Sequence, residues 1–444
     1  MSATLIKQAL LVNEGEAIEA DLRIKDQHIE AIASDLSAGP NEEVVEANGC
    51  YLLPGMIDDQ VHFREPGLTH KGSIASESRA AVAGGITSFM EMPNVSPATT
   101  DITALENKFE LASKNAMANY SFYLGATEHN LEQIKKLDPT RHCGVKVFMG
   151  ASTGDLLVEA PDALEAIFRE SPTLITTHCE SGSVMARNAA DLRRSKATLT
   201  IEDHPIVRDV KACYASSSYA VGLAKRHGSQ LHVLHITTAK ELELFESGPV
   251  DGKSITAEAC VHHLWFTQDD YARLGNFIKC NPAIKQQSDR NAIIDALSTG
   301  QIDIIATDHA PHTLEEKQET YESAPAGLPL VQHALLTLMD HVHHGRLSIT
   351  QVVEKTAHNP AKRYGIVQRG YLREGYHADL VLIAPDAATT VTDSNILYKC
   401  GWSPFSGHSF ASTIKGTWVN GTRVFDGESV ADIEPPAVRL AFDR

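Results

Sequence analysis

Five segments of this chain place metal-competent or proton-transferring side chains at the ends of apolar runs. The first is Asp58-Asp59-Gln60-Val61-His62-Phe63-Arg64-Glu65-Pro66-Gly67, which follows an apolar run and closes in a Pro-Gly turn. A lone histidine is ordinarily structural. Directly after a strand, beside an arginine and carboxylates, His62 becomes a ligand candidate. The second is Lys146, inside Gly144-Val-Lys-Val-Phe-Met-Gly150. A lysine in a buried strand must be paired or desolvated. It is either a snorkelling strand-end residue, a nucleophile or, after reaction with CO2, a carboxylate-bearing metal bridge. His178 and His235 each close a hydrophobic run, Leu-Ile-Thr-Thr-His178 and Leu-His-Val-Leu-His235. His232, three residues before His235, is expected on the opposite strand face as a packing residue. The fifth segment is Ile304-Ile-Ala-Thr-Asp308-His-Ala-Pro-His312. An aspartate at the tip of an apolar strand is costly unless a cation meets it. Imidazoles, a lysine and a carboxylate on one rim suit one or two borderline divalent ions such as Zn2+.

Other chemistries fit less well. Cys179 follows His178 and so faces away from it, which disfavours a Cys–His nucleophile, and the cysteines do not join the ligand set. No G-x-S-x-G elbow, G-x-G-x-x-G or P-loop is present.

Positioning these residues requires strands that end together. Short apolar runs recur at 55–58, 87–92, 119–124, 145–149, 174–178, 231–236, 254–259 and 303–307, separated by helical patterns. Alternation of β with α implies a parallel sheet, and eight such units predict an α/β fold of the (β/α)8 type with its site at the strands' C-terminal ends. A doubly wound open sheet is the alternative. Both ends of the chain read as β instead: Leu5–Val12, Asp21–Ile24 and Ile29–Ile32 at one, His377–Ile383 and Thr413–Gly421 at the other, the last with the hairpin signal Asn420-Gly421. The expected organisation is a small β-sandwich domain formed by both termini (residues 1–53 and 369–444) around a barrel at 54–368.

The 444 residues carry 39 Lys and Arg against 57 Asp and Glu, a net charge of −18. That balance disfavours nucleic acid and anionic membranes as partners, so an anionic substrate needs a local cation. The N-terminal segment does not read as a signal peptide, and no stretch is apolar enough to span a bilayer. Seven scattered cysteines without C-x-x-C read as a reduced, cytoplasmic protein. A small-molecule substrate is expected, and a homo-oligomer is compatible with these features.

The chain resembles the amidohydrolase superfamily and, within it, the dihydroorotases. The likeness rests on Val61-His-Phe-Arg-Glu-Pro-Gly67, Ala83-Gly-Gly-Ile-Thr87, Met92-Pro-Asn94, Lys146-Val-Phe, Cys280-Asn-Pro282, Thr307-Asp-His-Ala-Pro-His312 and Ala378-Asp-Leu-Val-Leu382, in that order along the chain. It implies a metal-dependent barrel with a small β-domain from both termini. It further implies one or two Zn2+ per chain, with His62 and Asp308 on the more buried ion, carboxylated Lys146 as the bridge, and His178 and His235 on the second. Arg64 and Asn94 would bind a substrate carboxylate. His312, Asn281 and the backbone of Ala326 and Gly327 would orient the ring. The implied reaction is interconversion of N-carbamoyl-L-aspartate and L-dihydroorotate in de novo pyrimidine (UMP) synthesis, by metal-bridged hydroxide attack on the ring amide carbonyl with Asp308 moving the proton. A hydantoinase- or allantoinase-type amidohydrolase is the alternative enzyme, and a catalytically silent barrel supporting a partner such as a carbamoyltransferase is the alternative of another class. One position departs from the family pattern Asp-x-His-x-His: Gln60 stands at the first histidine. An amide oxygen is a weaker zinc ligand than imidazole, so the two metal positions are expected to be unequal.

Overall fold

Eight strands form the centre of the molecule: β1 (Met56–Val61), β2 (Ile86–Glu91), β3 (Asn119–Gly125), β4 (Gly144–Phe148), β5 (Ile175–His178), β6 (Leu231–Val233), β7 (Ile255–Cys260) and β8 (Ile304–Ala306). A computed structural model describes residues 3–150 and 156–444. The strands pair in sequence order and in parallel. A parallel bridge between Val61 and His309 joins the last to the first, and the His62 N–H donates to His309 O at 2.7 Å across that seam. The fold is the (β/α)8 barrel. Every residue of β1, β2, β3 and β4 is buried, which is why these strands read as continuous apolar runs rather than alternating ones.

Local chemistry sets the helices that return the chain. Ser73 and Asp101 cap Ile74–Ala83 and Ile102–Asn115 through their side-chain oxygens. Asp209 does the same for Val210–His227, whose last turn carries Lys225, Arg226 and His227 against the helix dipole before Gly228 turns left-handed at φ 68°. Between β6 and β7 only the short turn Glu241–Leu244 is helical, so the alternation lapses there.

The termini supply one eight-stranded sheet. It contains Ala3–Asn13, Glu16–Lys25, His28–Ala33, Glu43–Glu46 and Tyr51–Pro54 from one end, and Leu380–Ala384, Thr413–Val419 and Thr422–Phe425 from the other. Tyr51–Pro54 pairs with Ala3–Asn13 and with Leu380–Ala384, which stitches the ends together immediately before β1 begins. Asn420 (φ 48°) and Gly421 (φ 75°) both take positive φ, the requirement of the tight hairpin turn expected there. Among the described residues no helix is long and apolar enough to cross a membrane.

Candidate active site

The C-terminal ends of the barrel strands enclose a cavity of about 90 Å³. Gln60, His62, Lys146, His178, His235 and Asp308 line it together with Arg64, Asn94, Asn281, Ala326 and Gly327. Of the residues singled out by sequence only His312 is missing from the lining, and it stands directly behind Arg64. Phe148 and Ala310 complete the wall. A larger cavity, about 570 Å³, opens at the opposite end of the barrel against Leu174, Gln230 and Ser254, the residues preceding β5, β6 and β7. It gathers no comparable ligand set, and the chemistry of such barrels sits at the other end.

On one side of the small cavity the His62 ring is clamped at both nitrogens. Nδ1 lies 2.7 Å from Asn94 Oδ1 and Nε2 3.0 Å from Asp308 Oδ1. Asn94 Oδ1 therefore accepts from Nδ1, and Nε2 is the ring nitrogen that could hold a metal. Gln60 Nε2 donates to the same Asp308 Oδ1 at 3.0 Å. Burial alone would raise the Asp308 pKa, but His62 outweighs it and holds the carboxylate below its usual range, so it is ionised at neutral pH.

The other side carries His178 and His235, with ring centroids 4.6 Å apart. Burial keeps both imidazoles neutral, and the Lys146 ammonium depresses His235 further. His178 Nε2 contacts Glu180 Oε2 at 2.9 Å, and Glu180 is paired with Arg208. Burial opposes ionisation of Glu180, yet Arg208 and His178 hold it at about 2. A carboxylate behind the imidazole leaves Nδ1 as the donor for a metal. Sequence reading missed Glu180, although its i+2 spacing from His178 was the available signal. Lys146 is 1% exposed and pairs with no carboxylate among the described residues; its ammonium lies 4.8 Å over the Phe148 ring. Burial pushes its pKa down to about 8, which raises the fraction of neutral amine able to react with CO2.

Arg64 projects from the loop after β1, with its backbone at φ 73°. Its Nε donates to Pro311 O at 3.0 Å. Its Nη2 lies 3.1 Å from His312 Nε2, but His312 Nε2 also lies 3.0 Å from Ala326 O while Nδ1 takes the Lys71 ammonium at 3.0 Å. Burial and the adjacent cations keep His312 neutral. A neutral ring accepting at Nδ1 must carry its proton on Nε2, so the approach to Arg64 is between two donors. That corner of the guanidinium is left for an acceptor. Arg64 is 6% exposed, meets no carboxylate among the described residues, and is lowered to about 10 by desolvation. Trp402 Nε1 donates to His312 O at 2.8 Å, anchoring the loop. Within the segment 310–327, Lys317 is buried and donates to the carbonyls of Lys279, Pro325 and Gly327. Gly327 has φ 143°, and a Cβ there would come 2.4 Å from Ala310 O.

His232 corrects the sequence reading. It does not face outward. The strand ends at Val233 and His235 takes φ 41°, which breaks the alternation and turns both histidines inward. His232 Nδ1 meets Thr256 Oγ1 at 2.7 Å, and Nε2 lies 3.2 Å from Asp59 and 3.7 Å from Glu258. Burial works against its charge, but the two carboxylates raise it to about 9. Glu258, raised to about 7 by burial and by Asp59, accepts in turn from the backbone N–H of His235 at 3.1 Å. The barrel floor is thus a buried ionic cluster that touches the backbone of His235.

Residues 51–424 match the model of the Amidohydrolase family. The chain belongs to the amidohydrolase family. A dihydroorotase of Halobacterium salinarum is 34% identical over 94% of this chain and 96% of its own length. An allantoinase of Solibacter usitatus is 30% identical over 97% and 95%. The L-hydantoinase (dihydropyrimidinase) of Arthrobacter aurescens superimposes with a TM-score of 0.92 at 27% identity, covering 99% of this chain and all of that one. As an amidohydrolase the protein is a hydrolase.

The donor set fits a divalent metal centre. Two neutral imidazoles share the cavity with a third imidazole paired with an ionised aspartate and with a buried lysine that meets no carboxylate among the described residues, the residue type a carboxylated bridge requires.

Proposed function

We propose that the protein is a zinc-dependent dihydroorotase, interconverting L-dihydroorotate and N-carbamoyl-L-aspartate in pyrimidine synthesis. The observation that carries this reading is Arg64: a buried guanidinium without a carboxylate partner among the described residues, opening on the cavity with one corner turned toward a donor. A carboxylate-bearing ring supplies the missing acceptor in a charge-assisted, bidentate contact. The hydantoinase- and allantoinase-type alternatives leave that cation unmatched.

His62, Asp308, His178, His235 and Lys146 would hold the metals, which supply an acidified water and polarise the ring carbonyl. Arg64, oriented by Pro311 O, fixes the substrate carboxylate together with the Asn94 amide. His312, the Asn281 amide and the turn at Ala326-Gly327 hold the ring against it. Water adds to the ring amide carbon, and Asp308 takes its proton. Asp308 then delivers that proton to the ring nitrogen as the C–N bond breaks, freeing the ureido group and a second carboxylate. Ring closure runs the same steps in reverse.

The test is turnover of dihydroorotate, followed by its ultraviolet absorbance, against hydantoin and allantoin, with and without chelator. Chelator-sensitive turnover of dihydroorotate is expected. Turnover of a neutral ring with none of dihydroorotate would reject the reading, and turnover of nothing would favour a silent barrel.

A further inference from the structure

Asn281 and the Ala326-Gly327 turn line the cavity from two segments that only folding brings together, 279–282 and the loop 310–327. The backbone joins them where the Gly327 N–H donates to Lys279 O at 2.8 Å. Two lysines cross between them in opposite directions. Lys279 Nζ donates to the carbonyls of Tyr321 and Ala324 at 2.5 Å each. Lys317 Nζ reaches back to Lys279 O at 3.2 Å and also holds Pro325 O at 3.0 Å and Gly327 O at 2.9 Å. His204 spans the same gap: Nε2 donates to Cys280 O at 2.8 Å, which leaves Nδ1 to accept from the Tyr321 hydroxyl at 3.0 Å.

Lys317 meets three carbonyls, the number for which an ammonium has donors. A methionine of similar length would offer them nothing. Lys317 is 1% exposed and Lys279 9%, and neither meets a carboxylate among the described residues. Burial pushes Lys317 down to about 7 and Lys279 down to about 8. Burying two cations without an anion opposes folding, so general stability does not account for them. Their place does: every carbonyl they hold belongs to one of the two segments that line the cavity. On its other side the turn has no slack, since a Cβ on Gly327 would also come 3.0 Å from His312 Cδ2.

We propose that Lys279 and Lys317 are positioning residues that form a reciprocal clasp, fixing the gap between Asn281 and the Ala326-Gly327 turn before a ring enters it. This rests on the reading of that wall as the one that holds the substrate ring, and it applies to any cyclic amide the site accepts. A wall fixed in advance avoids the ordering cost otherwise met on binding, so the clasp acts on affinity. It differs in this from Arg64, which recognises only a ring that carries a carboxylate. The hydrogen bonds of both lysines go to carbonyls alone, so metal content is independent of the clasp.

Hydrogen exchange on the metal-loaded full-length protein tests the clasp without a variant. The amides of 321–327 should be protected before substrate is added and gain little more with dihydroorotate. Fast exchange that slows only with substrate overturns the inference. Steady-state kinetics supply the second arm. Lys317→Met should raise KM roughly tenfold for dihydroorotate and dihydrouracil alike, with kcat and metal content nearly unchanged. Lys317→Arg, which keeps charged donors, should recover part of the loss, and Lys279→Met should show the same pattern at smaller size. The double variant Lys279→Met/Lys317→Met should lose less than the product of the two single losses, because both act on one clasp. An unchanged KM, a loss confined to dihydroorotate, or kcat and metal content falling together with KM overturns the inference. If exchange shows a wall fixed in advance while only hydantoin or allantoin is turned over, the same kinetics are read on that ring: the clasp stands and the dihydroorotase reading falls.

Discussion

Lys146, His178 and His235 on one wall of the cavity differ from Arg64, His312 and Gly327 on the other in how they are held. The first three lie on barrel strands or within two residues of one, so the sheet itself places them. The second three lie on loops, held by contacts from distant chain, Trp402 and Lys71 to His312, and by Lys317 to Gly327 within the loop itself. The wall that would carry the reaction is built into the most buried part of the fold. The wall that would choose the substrate can change with the loops. That division agrees with a family in which one barrel accompanies dihydroorotase, allantoinase and hydantoinase relatives.

The largest effect belongs to the strand wall. Lys146→Ala should nearly abolish turnover and lower metal content, and added short carboxylic acids should restore part of both. Near-normal turnover and metal content would show that the two halves of the site are not joined through this residue. On the loop wall, Arg64→Met removes a charge-assisted contact of about 1.5–3 kcal/mol, or roughly one to two decades in kcat/KM for dihydroorotate. Dihydrouracil, which lacks the carboxylate, should lose far less; equal losses on both rings would make Arg64 structural. A smaller step on the same wall is Trp402→Phe, which deletes the hydrogen bond to His312 O. About 1 kcal/mol, a several-fold rise in KM with metal content unchanged, is expected. A fall in metal content would mean the two walls are coupled.

The smallest effect concerns stability under the strand wall. His232 and Glu258 both have folded-state pKa values raised above their unfolded ones, to about 9 and about 7. The folded protein therefore binds more protons than the unfolded chain, and stability from this cluster falls as pH rises. Glu258's share is lost as pH passes through about 7, and His232's as it passes through about 9. Thermal unfolding should show a lower Tm at pH 9 than at pH 6, with a shallower decline in His232→Asn. An unchanged slope in that variant would place the pH dependence elsewhere.

The same division governs what could be read from the chain. Strand-end residues were legible because eight apolar runs recur in order and several of them end in a distinctive side chain. His232 was misread because strict alternation was carried past Val233, where the strand stops and His235 turns left-handed. Loop tethers were illegible: nothing local in Trp402 or Lys317 says which carbonyl it meets.

The seam between β8 and β1 has a temporal consequence. His62 and Asp308 meet across 246 residues of sequence, and Asp58 holds Thr307 by hydrogen bonds of 3.1 and 2.6 Å across 249. Such contacts lie at the far end of sequence separation, where loop-closure entropy must be overcome before any native interaction rewards it. A chain emerging from the ribosome can complete its early βα units in turn while His62 still has no aspartate to meet. Only when the last strand docks does the centre come into being, so an interrupted or truncated product carries most of a barrel and none of its reactivity.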